Sequence, residues 1–211
     1  MTMSKIIYRE LTKKDCNTIK NLIGEAFGFN EFIKDKIFLD SVLTSYLQDC
    51  ILESSFSKVA EKDNKVIGII LGKANKDNTK LIDEINPLST NHNELELIIE
   101  VKENKTVINE LLKIKDTYNE IIKGRKDDFQ GCIQLFIVSK ESRGLGIGKT
   151  LISHLFNYMR SMNVQSLYLY TDTRCNYKFY DSQNFKRLNE KEIYFNSLKE
   201  KLNVFLYGYE F

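Results

Sequence analysis

The spacing of apolar residues along the chain predicts an alternation of strands and helices. Residues 6–10 are predicted to form a short strand, followed by a helix that ends at Gly28 and a second amphipathic helix over about residues 33–52. Residues 56–61 and 66–73 are rich in β-forming residues and are joined by a short polar turn, a pattern typical of a hairpin. The first third of the chain is therefore expected to supply three strands and two helices.

The composition changes between Ala74 and Gln130, where Lys, Asn and Glu predominate. Apolar residues recur at helical spacing over residues 104–123, and Gly124 follows them, which predicts a helix with a glycine at its end. Residues 75–93 also have a composition compatible with disorder. We expect residues 74–130 to be a helical insertion within one domain of residues 1–211, because chains of roughly 100 to 200 residues commonly form a single domain.

The second half of the chain predicts a further alternation of strands and helices. Residues 132–138 are nearly all apolar, which is typical of a strand covered on both faces and hence of the centre of a sheet. A helix with an apolar stripe from Ile147 to Met162 follows. The remaining elements are predicted at residues 166–171 (strand), 173–182 (short helix), 185–194 (strand) and 203–211 (strand). This order of elements indicates an α/β fold with helices on both faces of a mixed sheet.

Three glycines stand between the apolar strand and the helix that follows it, at Gly144, Gly146 and Gly148. Glycines at such a place let the backbone approach a ligand closely, and they leave N–H groups exposed at the start of a helix. The partial positive charge of a helix N-terminus favours an anion such as a phosphate. The turn therefore predicts a site for a phosphorylated ligand.

Two common phosphate-binding motifs fail on spacing. The P-loop motif requires a glycine where Arg143 stands. The dinucleotide fingerprint requires its third glycine where Lys149 stands or, in the second possible register, where Leu151 stands. Neither a nucleotide hydrolase nor a dinucleotide-dependent enzyme is favoured.

Arg143, Gly146 and Gly148 satisfy the pattern (Q/R)-x-x-G-x-(G/A), and residues 135–148 resemble the corresponding motif of the GNAT superfamily of N-acetyltransferases, except that Lys140 stands where proline is common. The resemblance implies a GNAT-like α/β fold with a mixed, mostly antiparallel central sheet, helices on both faces and a helical insertion before the central strand. In that family the turn holds the pyrophosphate of coenzyme A, and the preceding strand offers its backbone to the pantetheine and splays from the next strand. The cofactor contacts so implied are Phe136, Ile137, Val138, Arg143, Gly144, Leu145, Gly146, Ile147, Gly148 and Lys149.

A second block, residues 179–185, resembles the family pattern (L/F)-Y-x-x-x-G-F, with Asn184 in place of the glycine. Asn tolerates the left-handed conformation for which glycine is used. The resemblance implies that Tyr180 protonates the leaving thiolate, and a phenol with a pKa of about 10 can donate to a thiolate with a pKa of about 8.5. Thr173 stands where the family often has an asparagine that binds pantetheine, and Asn176 is nearby; either could bind the pantetheine or cap a helix.

The reaction that the resemblance implies is attack of a neutral amine on the thioester of acetyl-CoA. The acceptor is a small-molecule or peptide amine that the sequence does not identify. The base that takes the proton of the amine is open among Glu53, Glu61, Glu100, Asp172 and a chain of water molecules. Cys175 is disfavoured as a nucleophile, because no histidine is close to it in sequence. The alternative to an enzyme is a CoA-binding regulatory module without turnover.

Composition adds several exclusions. The chain has 31 basic and 29 acidic residues, which gives no indication of a nucleic-acid partner. The longest apolar stretch, residues 66–72, is far shorter than the roughly 20 residues that cross a bilayer, and residues 1–10 lack a secretory apolar segment of about 7 to 15 residues. Two histidines and four scattered cysteines predict no metal site and no disulfides. We expect a cytoplasmic monomer or homodimer with reduced thiols and without a membrane partner.

Overall fold

The computed structural model describes residues 5–85, 102–196 and 199–211. Within these residues the strands are β1 (Ile7–Arg9), β2 (Phe56–Lys62), β3 (Lys65–Ala74), β4 (Gly131–Val138), β5 (Ser166–Asp172), β6 (Lys186–Phe195) and β7 (Glu200–Glu210). The helices are α1 (Cys16–Ala26), α2 (Phe29–Phe32), α3 (Lys36–Leu52), α4 (Leu81–Glu84), α5 (Lys102–Ile121), α6 (Ile147–Ser161) and α7 (Lys178–Ser182). None of these helices combines the length and the hydropathy that a bilayer-spanning segment requires.

The strands form a seven-stranded sheet in the order β1-β2-β3-β4-β5-β7-β6. All neighbours pair antiparallel except β4 and β5, which run parallel. The expected mixed, mostly antiparallel sheet is thus confirmed. The apolar strand β4 is the fourth of the seven, which places it at the centre of the sheet as its hydrophobicity predicts.

Helices cover both faces of the sheet. Successive side chains of a strand point to opposite sides, so apolar neighbours in one strand pack against helices on different faces. Ile69 of β3 packs in the core that contains α1 and α3, whereas Ile70 packs in the core that contains α6. In β5, Tyr170 packs with residues of α5, and Leu169 packs in the core of α6. The helix α5 of the insertion therefore lies on the face of the sheet opposite α6.

Two predicted turns have the backbone conformation that their residues suggest. Asp63 and Asn64 connect β2 to β3 with φ angles of 51° and 58°, which is the left-handed region that a tight hairpin turn uses. Asn184 has a φ of 63°, so it does replace glycine at the end of α7.

The long helix predicted over residues 33–52 is shorter in the structure. The side chain of Asp35 accepts hydrogen bonds from the N–H groups of Ile37 and Phe38, and this cap starts α3 at Lys36. Residues 33–35 are not helical, and the separate short helix α2 lies before them.

The short helix predicted over residues 173–182 begins only at Lys178. The cause is Asp172, whose Oδ1 accepts hydrogen bonds from the N–H groups of Arg174 (2.8 Å) and Cys175 (3.3 Å). An aspartate that bonds the backbone two residues ahead forms a turn in competition with helix. Residues 173–177 are therefore turns, and the prediction was wrong for them.

The predicted helix of the insertion is confirmed as α5, and Gly124 follows it with a φ of 77°. Leu81 and Ile85, at the two ends of α4, are buried against the core of α1 and α3. Part of the segment for which disorder was considered, residues 86–93, lies outside the described residues.

Candidate active site and cofactor cleft

The two parallel strands at the centre of the sheet separate along their length. β4 and β5 pair only at Gly131–Leu167 and Cys132–Tyr168. Beyond this point β4 still pairs with β3 and β5 still pairs with β7, so each strand keeps one partner and the gap between them widens. The gap leaves one edge of β4, from residue 133 to residue 138, without a strand partner.

A bulge in β4 occurs where the two strands separate. Leu135 pairs with Leu71, but the next pair is Ile133 with Gly72, so Gln134 is an extra residue. A bulge bends its strand and increases the local twist. This distortion accompanies the loss of pairing with β5 and helps to open the gap.

The gap is part of a cleft with a volume of about 1590 Å³. Typical ligand pockets measure about 300 to 1,000 Å³, so this cleft is large enough for two molecules side by side. Residues of the glycine turn, such as Arg143 and Gly146, line one end, and Tyr46 of α3 and Tyr118 of α5 line another part. The cleft thus connects the start of α6 with the helices on the opposite face of the sheet.

The glycine turn presents an open backbone to the cleft. Gly144 and Gly146 have φ angles of 81° and 76°, and apart from the adjacent residues no atom of a described residue lies within 4 Å of where a Cβ would stand on either one. Gly146 is also the N-cap of α6, so the N–H groups of the first helical turn have no partner within the helix. Gly148 has a different role, because a Cβ there would lie 3.2 Å from the ring of Phe179.

The charge at this end of the cleft is positive. Lys140, Arg143 and Lys149 line the cleft, and none of them forms a salt bridge with a described residue. Free cations beside an N-terminal helix turn suit a phosphorylated ligand. Lys140 was noted in the sequence only as a departure from a motif, and its position in the cleft shows that it belongs to the same basic group.

Most of the residues predicted to contact a cofactor come together in this cleft. Eleven of the residues named from the sequence, including the predicted catalytic tyrosine, line it: Phe136, Ile137, Val138, Arg143, Gly144, Gly146, Ile147, Gly148, Lys149, Asn176 and Tyr180. The side chain of Ile147 is buried in the core of α6, so its backbone is the part available to a ligand.

Leu145 and Thr173 are not among the residues that line the cleft. The side chain of Leu145 is exposed to solvent. Thr173 is hydrogen-bonded to β7: its N–H donates to the carbonyl of Asn203 (3.1 Å), and its Oγ1 accepts from the N–H of Asn203 (3.3 Å). Thr173 therefore extends the pairing of β5 with β7, and it caps no helix.

Tyr180 is held in place by aromatic packing. Its ring centroid lies 5.5 Å from that of Phe185, 5.7 Å from Tyr207 and 6.3 Å from Phe136 of β4. Its hydroxyl forms no hydrogen bond with a described residue. Burial, with smaller contributions from Cys175 and Asp172, raises the pKa of the phenol well above its usual range. Tyr180 is consequently a protonated donor at neutral pH.

The structure distinguishes among the carboxylates named as possible bases. Asp172 is only 9% exposed and lines the cleft. Glu53 also lines it, but it is exposed and lies 3.4 Å from Lys73. Glu61 accepts a hydrogen bond from Arg9 (2.8 Å) and is not a cleft residue. Glu100 lies outside the described residues.

The thiol of Cys175, which was considered as a nucleophile, also lines the cleft. Burial and the nearby Asp172 raise the pKa of the Cys175 thiol to about 12, so the thiolate form is scarce at neutral pH. Within residues 5–85, 102–196 and 199–211, no three His, Cys, Asp or Glu side chains are grouped as metal ligands.

Comparisons with solved structures identify proteins with the same fold. Three solved structures share the fold over nearly the whole chain. They are the PaiA N-acetyltransferase of Thermoplasma acidophilum in complex with coenzyme A (15% identity, 98% of this chain and 99% of that chain, TM-score 0.56), an N-acetyltransferase of Staphylococcus aureus Mu50 (14%, 98% and 99%, 0.55) and the ribosomal-protein-alanine N-acetyltransferase of Brucella melitensis (14%, 97% and 99%, 0.53). At these identities the likeness concerns the fold.

No curated protein sequence matches the chain significantly. The model of the acetyltransferase (GNAT) family matches residues 19–185, a range that includes the glycine turn and Tyr180. Because this match covers more than half of the chain, the chain belongs to the GNAT acetyltransferase family.

Proposed function

We propose that the protein is an N-acetyltransferase that transfers the acetyl group of acetyl-CoA directly to an amine. The observation that carries this proposal is the presence, in one cleft, of a basic glycine turn and a protonated tyrosine. A phosphate-binding turn alone would suit many ligands. A proton donor in the same cleft suits a reaction in which a thiolate leaves.

The cofactor end of the cleft fits coenzyme A. The open backbone at Gly144 and Gly146 and the free cations Arg143 and Lys149 would hold its phosphates. The unpaired edge of β4 at residues 136–138 would offer N–H and C=O groups to the amides of the pantetheine. The complex of the PaiA neighbour with coenzyme A supports the assignment, because that protein has the same fold.

In the proposed reaction the nitrogen of a neutral amine attacks the carbonyl carbon of the thioester. The C–N bond forms, the C–S bond breaks, and the sulfur takes the phenolic proton of Tyr180. The nitrogen then gives up one proton, which restores Tyr180 directly or through water. General acid catalysis of this kind contributes roughly 10²- to 10⁴-fold to a rate.

The test is a measurement of acetyl-CoA binding by calorimetry together with CoA release from acetyl-CoA in the presence of a panel of amines. Binding with turnover of at least one amine is expected. Binding without turnover on any amine would favour the regulatory module, and binding of ATP without binding of coenzyme A would reject the cofactor assignment.

We further propose that the enzyme acts in the cytoplasm as a monomer or homodimer. Its four cysteines are free, which supports a reducing environment. Size-exclusion chromatography of the purified protein tests the oligomeric state, and fractionation of cells tests the location.

A further inference from the structure

The part of the cleft away from the glycine turn, which we call the acceptor end, includes several aromatic side chains and the buried carboxylate of Asp172. Tyr46 of α3, Tyr118 of α5, Tyr170 and Asp172 of β5 line it. Tyr118 stacks on Tyr170 with ring centroids 4.2 Å apart, and the Tyr170 hydroxyl donates to the carbonyl of Tyr118 (3.1 Å). The insertion helix is thereby fixed to the end of β5, beside Asp172.

The backbone holds the carboxylate of Asp172 at one oxygen. Oδ1 accepts from the N–H groups of Arg174 and Cys175, and the Cys175 thiol also interacts with the carboxyl group. No N–H or O–H group of a described residue donates to Oδ2. Among the described residues, however, no fully buried side-chain oxygen or nitrogen lacks a partner. Oδ2 is therefore accessible, and because Asp172 is otherwise buried in the wall of the cleft, it is accessible from the cleft.

Three tyrosines also line the cleft: Tyr46, Tyr118 and Tyr180. The hydroxyls of Tyr118 and Tyr180 form no hydrogen bond with a described residue, whereas the Tyr46 side chain interacts with the Cys50 thiol. Burial raises the pKa of each phenol, and the negative charge of Asp172 raises it further. The cleft thus contains the open oxygen of Asp172 together with aromatic rings.

No cationic side chain of a described residue forms a salt bridge with Asp172. Burial raises the pKa of the carboxyl and the charge of Arg174 opposes this rise, but the Arg174 guanidinium donates to Glu200 (2.8 Å) and lies over the rings of Phe32 and Phe195. A carboxylate among aromatic faces favours a ligand that brings its own positive charge, because both the carboxylate and the π-faces attract a cation.

We propose that Asp172 binds the ammonium group of the acceptor and takes its proton, and that the acceptor is a primary amine on an apolar or aromatic body. This inference rests on the proposed acetyl transfer. Its chemistry balances: one N–H bond of the ammonium breaks and the proton goes to Oδ2, the neutral amine forms the C–N bond as the C–S bond breaks, and Tyr180 supplies the proton of the thiol. The nitrogen then loses its second proton to the Tyr180 phenolate, which restores the phenol. Asp172 then releases its proton to solvent, so one proton leaves per turnover.

Burial makes Asp172 suitable as a base, because it raises the pKa of the carboxyl above its ordinary value even though two backbone N–H groups lower it. A base works best when its pKa is close to the working pH. The titratable and charged groups around it are Arg174, Cys175, Tyr46, Tyr118 and Tyr180. The thiol and the three phenols all have raised pKa values, so they stay neutral while Asp172 titrates.

The test compares Asp172→Asn with the wild type. The amide oxygen of asparagine can still accept from the backbone of Arg174 and Cys175, so the turn is retained while the charge and the basicity are lost. With 2-phenylethylamine as probe we expect kcat/KM to fall about 100-fold or more, with the KM for acetyl-CoA unchanged within about twofold. The wild-type kcat/KM should fall as the pH is lowered through the pKa of Asp172, and this limb should be absent in the variant.

Two controls accompany this variant. Asp127→Asn removes an exposed carboxylate that does not line the cleft and should leave all parameters unchanged. Glu53→Gln removes the other cleft carboxylate that was considered as a base, and it should retain most of the activity. Loss of activity in Glu53→Gln with normal activity in Asp172→Asn would overturn the assignment of the base.

The class of acceptor is tested with matched pairs of amines. Phenylalanine differs from 2-phenylethylamine by one carboxylate, which Asp172 would repel, so we expect a kcat/KM at least about 10-fold lower, a difference of one decade or about 1.4 kcal/mol. Equal use of the two, or a preference for spermidine over 2-phenylethylamine, would overturn the proposed class.

A second measurement needs no variant. Phenyltrimethylammonium is a cation with no N–H to lose, so it should inhibit the wild type competitively with the amine and not with acetyl-CoA. Absence of competition would refute the cationic acceptor site even if Asp172→Asn does not fold. A turnover rate in Asp172→Asn equal to that of the wild type would refute the role of Asp172 and leave the acetyltransferase proposal intact. Absence of turnover by the wild type on any amine would reject both the acetyltransferase proposal and the role of Asp172.

Discussion

Replacement of Tyr180 with Phe tests the proposed chemistry with little disturbance of the fold. The ring keeps its neighbours Phe136, Phe185 and Tyr207, and the lost hydroxyl has no hydrogen-bond partner among the described residues. A change without a lost contact typically alters stability by less than about 0.5 kcal/mol. For a chain of this size that corresponds to a shift in Tm of less than about 2 °C.

The effect on catalysis should be much larger than the effect on stability. Without a proton donor the thiolate must leave unprotonated, and loss of a general acid costs roughly 10²-fold or more in kcat. Two decades correspond to about 2.7 kcal/mol of transition-state stabilisation. Because burial raises the pKa of Tyr180 above its usual range, the phenol stays protonated and the loss should be the same throughout about pH 6 to 9.

The assay is continuous detection of free CoA thiol at saturating and limiting acetyl-CoA. The KM for acetyl-CoA should stay within about twofold, because Tyr180 is proposed to act on the leaving sulfur and not on the phosphates. An acetyl thioester whose thiol is a stronger acid needs less protonation, so it should recover part of the lost rate in Tyr180→Phe. Tyr177→Phe is the matched control, since this tyrosine does not line the cleft. An unchanged kcat in Tyr180→Phe would remove the residue from the mechanism.

Three further predictions concern the cofactor end and the stability of the fold. Gly146→Val should weaken acetyl-CoA binding by at least about 10-fold. Gly124→Val is the control, because Gly124 has nearly the same φ (77° against 76°) and equally open surroundings, so this variant should impose similar backbone strain of about 1 to 3 kcal/mol without loss of binding. Calorimetry measures the acetyl-CoA affinity of both variants, and equal affinities would contradict the site. Arg143→Gln should weaken acetyl-CoA binding and make its affinity less dependent on salt, and an unaltered salt dependence would exclude a contact between this cation and the phosphates. Burial alone would raise the pKa of the Asp15 carboxyl, but hydrogen bonds from Arg9 and Thr12 outweigh it and lower the pKa. Asp15→Asn should therefore reduce the free energy of unfolding at pH 7, and the reduction should become smaller as the pH falls through the lowered pKa. Denaturant unfolding measures this reduction, and a reduction that does not depend on pH would contradict the prediction.

The features that the sequence predicts correctly are those that a few neighbouring residues determine. The turn at Gly144 and Gly146 depends on local φ angles, and the end of α7 depends on the ability of Asn184 to take a positive φ. The central position of β4 follows from its own hydrophobicity. Short motifs alone therefore named most of the residues that share the proposed cofactor end of the cleft.

The differences come from interactions that compete with a pattern or cross the sheet. Thr173 was considered as a possible helix cap, but in the structure it pairs with Asn203, thirty residues away. The Asx turn at Asp172 delayed the start of α7, although the sequence pattern favoured an earlier helix. A strong turn-forming residue at the end of a predicted strand was the signal that could have corrected the prediction.

The acceptor end illustrates why the sequence alone does not identify the acceptor amine. Tyr46, Tyr118 and Asp172 lie on three different elements, and no periodicity indicates that they share one cleft. Their convergence depends on the packing of the insertion helix, which the side chain of Asn189 holds by donating to the carbonyl of Ile121 (2.9 Å). The glycine turn has no described contact of this kind with the insertion. Changes in α5 should therefore alter the choice of amine while acetyl-CoA binding persists, because the two ends of the cleft are built from separate parts of the chain.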